Sequence, residues 1–121
     1  MRTTQPPLFA PETEWVMPDE LKDLTHYKEI AVDLETYDPD LTVSGSGNVV
    51  GDGHIAGVAL AVEGWSGYYP IGHENGGNMD TTLVFSWLRD LFKDPNKTFI
   101  FHNAMYDVCW LRSNGMHIAG K

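Results

Sequence analysis

The sequence predicts an α/β fold on a mixed sheet, and three features carry that prediction. Residues 27–36 alternate, with Ile30, Val32 and Leu34 on one face and Ala31, Asp33 and Glu35 on the other, which is the period of a strand. Two glycine-bounded apolar runs, HIAGVALAV and GYYPI, then read as an antiparallel hairpin. An amphipathic helix leads next to the short apolar run KTFIFH and a second helix. This crossover places the fourth strand parallel beside the first.

Taken in order, residues 1–25 form an extended N-terminal arm, rich in Pro, Thr and Glu without a period, with a short helical turn at Pro18–Leu24. Residues 26–121 form the body. After strand one, residues 37–53 are a long glycine- and serine-punctuated connection. Strand two is His54–Val62, and Glu63–Gly67 turns it into strand three. Pro70 places strand three at a sheet edge, because proline cannot donate to a central ladder. Asp80 caps a helix to about Lys93 whose apolar residues Leu83, Val84, Trp87, Leu88, Leu91 and Phe92 recur at helical spacing. Strand four, Lys97–His102, is apolar on both faces and reads as interior. Asn103 caps a second helix, Ala104 to about Asn114, with Gly115 at its stop and Ala104, Val108 and Leu111 as its core stripe. A fifth strand is expected where the chain ends, so the sheet reads as truncated before it.

A chain of 121 residues, 42% of them hydrophobic, supports one core and is too short for two ordinary domains. No apolar run is long enough for a membrane span, and the prolines and glutamate near Met1 exclude the apolar segment of a signal peptide, so a cytoplasmic protein with no membrane partner is expected. The single cysteine, Cys109, permits no internal disulfide, and five scattered histidines form no zinc pattern. With 8 basic against 17 acidic residues, the net charge of −9 argues against a general nucleic-acid-binding surface. Any contact with phosphate must be local. Carboxylates can face phosphate when divalent cations lie between them.

Asp33 and Glu35, at i and i+2 on a strand, project side by side. Alone, that pair reads equally well as the polar side of an edge strand. Asp107 changes the balance. With strand four beside strand one, the first turn of the helix that follows lies over the same sheet end, and three carboxylates converge. Such an oxygen-rich cluster suits Mg²⁺ or Mn²⁺ at about 2.0 to 2.2 Å. His102 stands beside this end, as a site residue or as a strand-end histidine satisfied by backbone. The His73–Glu74 loop reads as solvent-facing.

"AVDLET", with Asp33 and Glu35, and "FHNAMYD", with Asn103 and Asp107, resemble the first and second motifs of the 3′–5′ proofreading exonuclease domain of family A DNA polymerases, members of the ribonuclease H-like DEDD exonucleases. The likeness continues through "GVALAVEGWSGYYPIGHE" and "LRSNGMHIAGK", covering roughly residues 14–121. It implies a ribonuclease H-like sheet and hydrolysis of the 3′-terminal phosphodiester of DNA by two Mg²⁺ or Mn²⁺ ions held by Asp33, Glu35 and Asp107. It further implies that Leu34, Thr36, Leu41, Asn103 and Tyr106 meet the substrate, Leu41 as an apolar contact to the terminal base. Implied partners are a single-stranded 3′ end and the polymerase domain of a parent chain, in a bacterial or phage-infected cell. Met1 close before the domain resembles a phage-type polymerase without a 5′ nuclease domain. The family's third motif, Tyr-x-x-x-Asp, is not found in the chain, and the adjacent Tyr106 and Asp107 do not replace it. Weak metal binding and very low turnover are therefore expected of residues 26–121 alone, an incomplete exonuclease domain. A non-catalytic ribonuclease H-like binding module and an exoribonuclease on short RNA are the alternatives. The open edge of strand four is expected to favour dimers.

Overall fold

Period-two patterning becomes four strands and period-3.6 patterning two helices. The computed structural model describes residues 17–18, 20–39, 41, 47, 53–74 and 76–120. In chain order they give β1 (Glu29–Tyr37), β2 (His54–Val62), β3 (Trp65–Pro70), α1 (Thr81–Phe92), β4 (Thr98–Phe101) and α2 (Ala104–Ser113). The sheet order is β3-β2-β1-β4. β2 pairs antiparallel with β1 and with β3, and β4 pairs parallel with β1 from Glu29↔Thr98 to Val32↔Phe101. This is the mixed sheet the sequence predicts, consistent with a ribonuclease H-like fold, with Pro70 on the edge strand.

Ile30, Val32, Val58, Leu60 and Tyr69 supply the sheet side of the core and meet Val84, Leu88, Leu91 and Phe92 of α1, with Trp110 and Leu111 of α2 and Met116 completing the cluster. Phe92 and Phe99 meet edge to face at 4.8 Å, a favoured aromatic geometry. Asp80 caps α1 by accepting the Thr82 N–H at 2.9 Å. The hairpin turn is tighter than expected. Val62 pairs with Trp65, leaving only Glu63 and Gly64 between the strands, and Gly64 takes a left-handed φ of 86° that favours glycine. Among the described residues no helix is long and apolar enough to cross a membrane.

The structure corrects four local expectations. Glu20 is a bend and residues 21–24 take no regular structure, rather than forming a helical turn. Tertiary partners take their backbone groups: the Lys22 N–H goes to the Tyr69 hydroxyl and the Leu24 carbonyl to Lys97 Nζ, while Leu24 enters the core. β4 is the outermost described strand rather than an interior one, and Ile100 is 52% exposed. Leu83 is exposed, because the core-facing stripe of α1 is centred on Val84 and Leu88. On α2 the buried positions are Asp107, Trp110 and Leu111; Ala104 is exposed and Val108 half-buried. The expected apolar stripe gives way to a face that includes a carboxylate. Trp15, whose place in the N-terminal arm suggests a clamp onto the body, lies outside the described residues.

Candidate active site

The parallel register of β1 and β4 ends at Val32↔Phe101, after which the chain turns through His102 and Asn103 into α2. Leu34 lies two residues further along β1, and its backbone N–H donates to the carboxylate of Asp107 where β4 no longer runs. Asp107 sits in the first turn of α2, whose N-terminal dipole favours a negative charge. The side chain is only 2% exposed, and its Oδ2 has no hydrogen-bond partner. Burial above all, then the charge of neighbouring Asp33, raise its pKa from 3.8 to about 6, against the opposing effects of the Leu34 N–H and His102.

Asp33 and Glu35 lie on the exposed side of β1, opposite the core-facing Val32 and half-buried Leu34. Asp33 is thus brought to Asp107. Glu35 is held elsewhere: its Oε1 accepts the Tyr68 hydroxyl at 2.7 Å, and His73 Nε2 stands 3.9 Å away. Burial first, then the bond to Glu35, push the Tyr68 hydroxyl far above its ordinary pKa, so it remains a proton donor. Among the described residues no three His, Cys, Asp or Glu side chains stand in an arrangement that could hold a metal ion. An orphaned, buried carboxylate oxygen beside a second carboxylate lacks a positive partner, and Glu35 lies two residues from Asp33 on the same strand.

The chain is similar to part of a phage DNA polymerase. It is 38% identical over 122 residues to the DNA-directed DNA polymerase of Pseudomonas phage M6, a match covering 96% of this chain and 18% of that relative. The chain therefore spans less than a fifth of the polymerase it matches. No protein-family profile matches the chain.

Within this polymerase-like stretch the other expected site residues are placed as follows. Asn103 occupies the N-cap position of α2 and is exposed, but its side chain makes no capping bond, contrary to its expected role; its carbonyl accepts the Asp107 N–H at 3.0 Å. Leu34 turns its side chain toward the core and offers the site only its N–H. Tyr106 donates to Asp38 Oδ2 at 2.7 Å, so the 2.8 Å contact with Thr36 Oγ1 has the threonine as donor. Asp38 also accepts the Gly47 N–H at 2.9 and 3.1 Å, tying the connection after β1 to α2. Leu41 in that connection is 43% exposed.

Sequence reasoning missed Asp38, Tyr68 and the use of His73, whose neighbours come from other strands. The pairing of Tyr68 with Ala59 two strands from Asp33 was the signal available, and it requires the register of the hairpin. A groove of about 880 Å³ runs along the open sheet face between them. Ala31, Ala59 and Ala61 line it, with Asp33, His102 and Tyr68 also in its wall.

Proposed function

We propose that the chain is the 3′–5′ exonuclease segment of a DNA polymerase, hydrolysing the terminal phosphodiester of a single-stranded 3′ end. The observation that carries this reading is Asp107: a buried carboxylate with one unpartnered oxygen, set against Asp33 at the end of a parallel strand pair. The motif resemblance and the likeness to a phage polymerase support it. Asp33, Glu35 and Asp107 are the residues that would hold Mg²⁺ or Mn²⁺, which when bound supplies Lewis-acid polarisation of the phosphate and a more acidic water. Glu35, exposed on β1, orients the attacking water. Exposed Asn103 meets the terminal nucleotide, and the Thr36–Tyr106–Asp38 chain of hydrogen bonds holds the neighbouring connection in place. The partners in this reading are a DNA 3′ end and the polymerase domain of a parent chain in the cytoplasm of a phage-infected cell.

The test is shortening of 5′-labelled single-stranded DNA in Mg²⁺ or Mn²⁺ by this chain and by a longer chain from its parent. The expected result is strong shortening by the longer chain, weak or none by residues 1–121, and loss of activity in Asp33→Asn and Asp107→Asn. A second reading, a ribonuclease H-like module that binds without cutting, is favoured by the lack, among the described residues, of a ready-made three-carboxylate group. It prevails if the longer chain leaves DNA intact. An RNA competitor in the same reaction tests the exoribonuclease alternative.

A further inference from the structure

Among the described residues both helices pack on one side of the sheet, the side of Ile30, Val32, Val58 and Leu60. On the other side the registers line up Ser66, Ala61, Ala31 and Ile100 in one row across the four strands, and Tyr68, Ala59 and Asp33 in the next. The groove of about 880 Å³ runs over these rows. A parallel pair such as β1 and β4 belongs to sheets covered on both faces. β4 is built for that, since Phe99 is buried in the core while Ile100, on the opposite face, is 52% exposed.

Size and charge limit what fits there. Strands about 4.8 Å apart set the outer two of four about 14 Å from each other, room for one helix of about 10 to 12 Å but not for two. Side chains as short as alanine and serine let a helix sit close to the sheet and fill the space without a void. Carboxylates bracket this floor. Glu29 precedes Ala31 by two residues on the same side of β1, and exposed Glu63 in the hairpin turn lies at the same end of the sheet; Asp33 follows Ala31 by two. A second copy stacked on this face would bring acid against acid, and the phosphates of a nucleic acid would be repelled. A helix with an apolar stripe and basic residues at its flank meets both features of the surface.

We propose that this face seats one amphipathic helix of the parent polymerase chain, its apolar stripe on Ala31, Ala59, Ala61 and Ile100 and its basic residues beside Glu29 and Glu63. The inference rests on the polymerase-segment reading above and is independent of whether the site cuts DNA. The relative has ample chain to supply such a helix, because the matched stretch is only 18% of the phage polymerase.

The test places a thiol on the face by Ala59→Cys or Ser66→Cys in a Cys109→Ser background, and follows its reaction with a thiol reagent in residues 1–121 and in a longer chain from the parent, with a thermal melt of each. The thiol is expected to react freely in residues 1–121 and about 10-fold or more slowly in the longer chain, at a rate independent of protein concentration. If Ala59→Cys loses its cooperative melt, Ser66→Cys, at an exposed position, carries the comparison. A benzophenone attached to that cysteine in the longer chain is expected to cross-link within the same chain, to a segment with apolar residues three and four apart and Lys or Arg at the flank. Equal rates in the two chains, protection of residues 1–121 that grows with concentration, or cross-links to a second copy would overturn the inference. A longer chain that shields the thiol yet leaves DNA intact would support it while overturning the exonuclease reading.

Discussion

Asp107 gives the candidate site a signature in folding stability that needs no substrate. Its pKa rises from 3.8 to about 6 on folding, so the folded state binds a proton more tightly than the unfolded chain does. For a carboxylate shifted upward, the protonated form is the one folding favours. The contribution is fully present below about pH 3.8 and is lost as pH rises through about 6. At about 1.4 kcal/mol per tenfold change in proton affinity, ionised Asp107 costs the fold about 3 kcal/mol. Asp107→Asn keeps an oxygen to accept the Leu34 N–H and removes the charge. Urea unfolding followed by tryptophan fluorescence from pH 4 to 8, in EDTA, compares the two proteins directly. Their difference isolates Asp107 from the other carboxylates titrating in the range. The asparagine variant is expected to match the parent near pH 4 and to exceed it by up to about 3 kcal/mol at pH 7.5. Saturating Mn²⁺ at pH 7.5 is expected to narrow the gap by stabilising the parent. A constant difference across the range would refute the claim that Asp107 is buried and strained when ionised.

Lys97, 5% exposed, donates to the carbonyls of Leu24, Thr25 and Tyr27 at 3.2, 2.9 and 2.6 Å, so Lys97→Met should cost about 2 to 4 kcal/mol by urea unfolding, chiefly through stranded acceptors. Removing the cap of α1 by Asp80→Ala should cost about 1 kcal/mol in the same assay, with no change in Mn²⁺ affinity. The edge of β4 and exposed Ile100 should promote association, seen by light scattering as mass rising with concentration and reduced by Ile100→Lys; a stable monomer at high concentration would count against it.

The sequence alone determined the strands and helices, the hairpin, the cap at Asp80 and the parallel placement of β4 beside β1. These depend on periodicity, turn residues and crossover length, all recorded within a few residues of one another. It also singled out Asp33, Glu35 and Asp107, because i, i+2 spacing and a first-turn position are local facts. The tertiary structure decided what each carboxylate touches. Asp107 is buried because β4 stops where Leu34 still has an N–H to give, and Glu35 turns to Tyr68 because three strand registers align at a glycine. Lys97 reads locally as the polar start of a strand, yet it is buried, and it gathers carbonyls some 70 residues away. Such partners meet only once the sheet has closed, since their distance in space is set by register and packing rather than by their spacing along the chain.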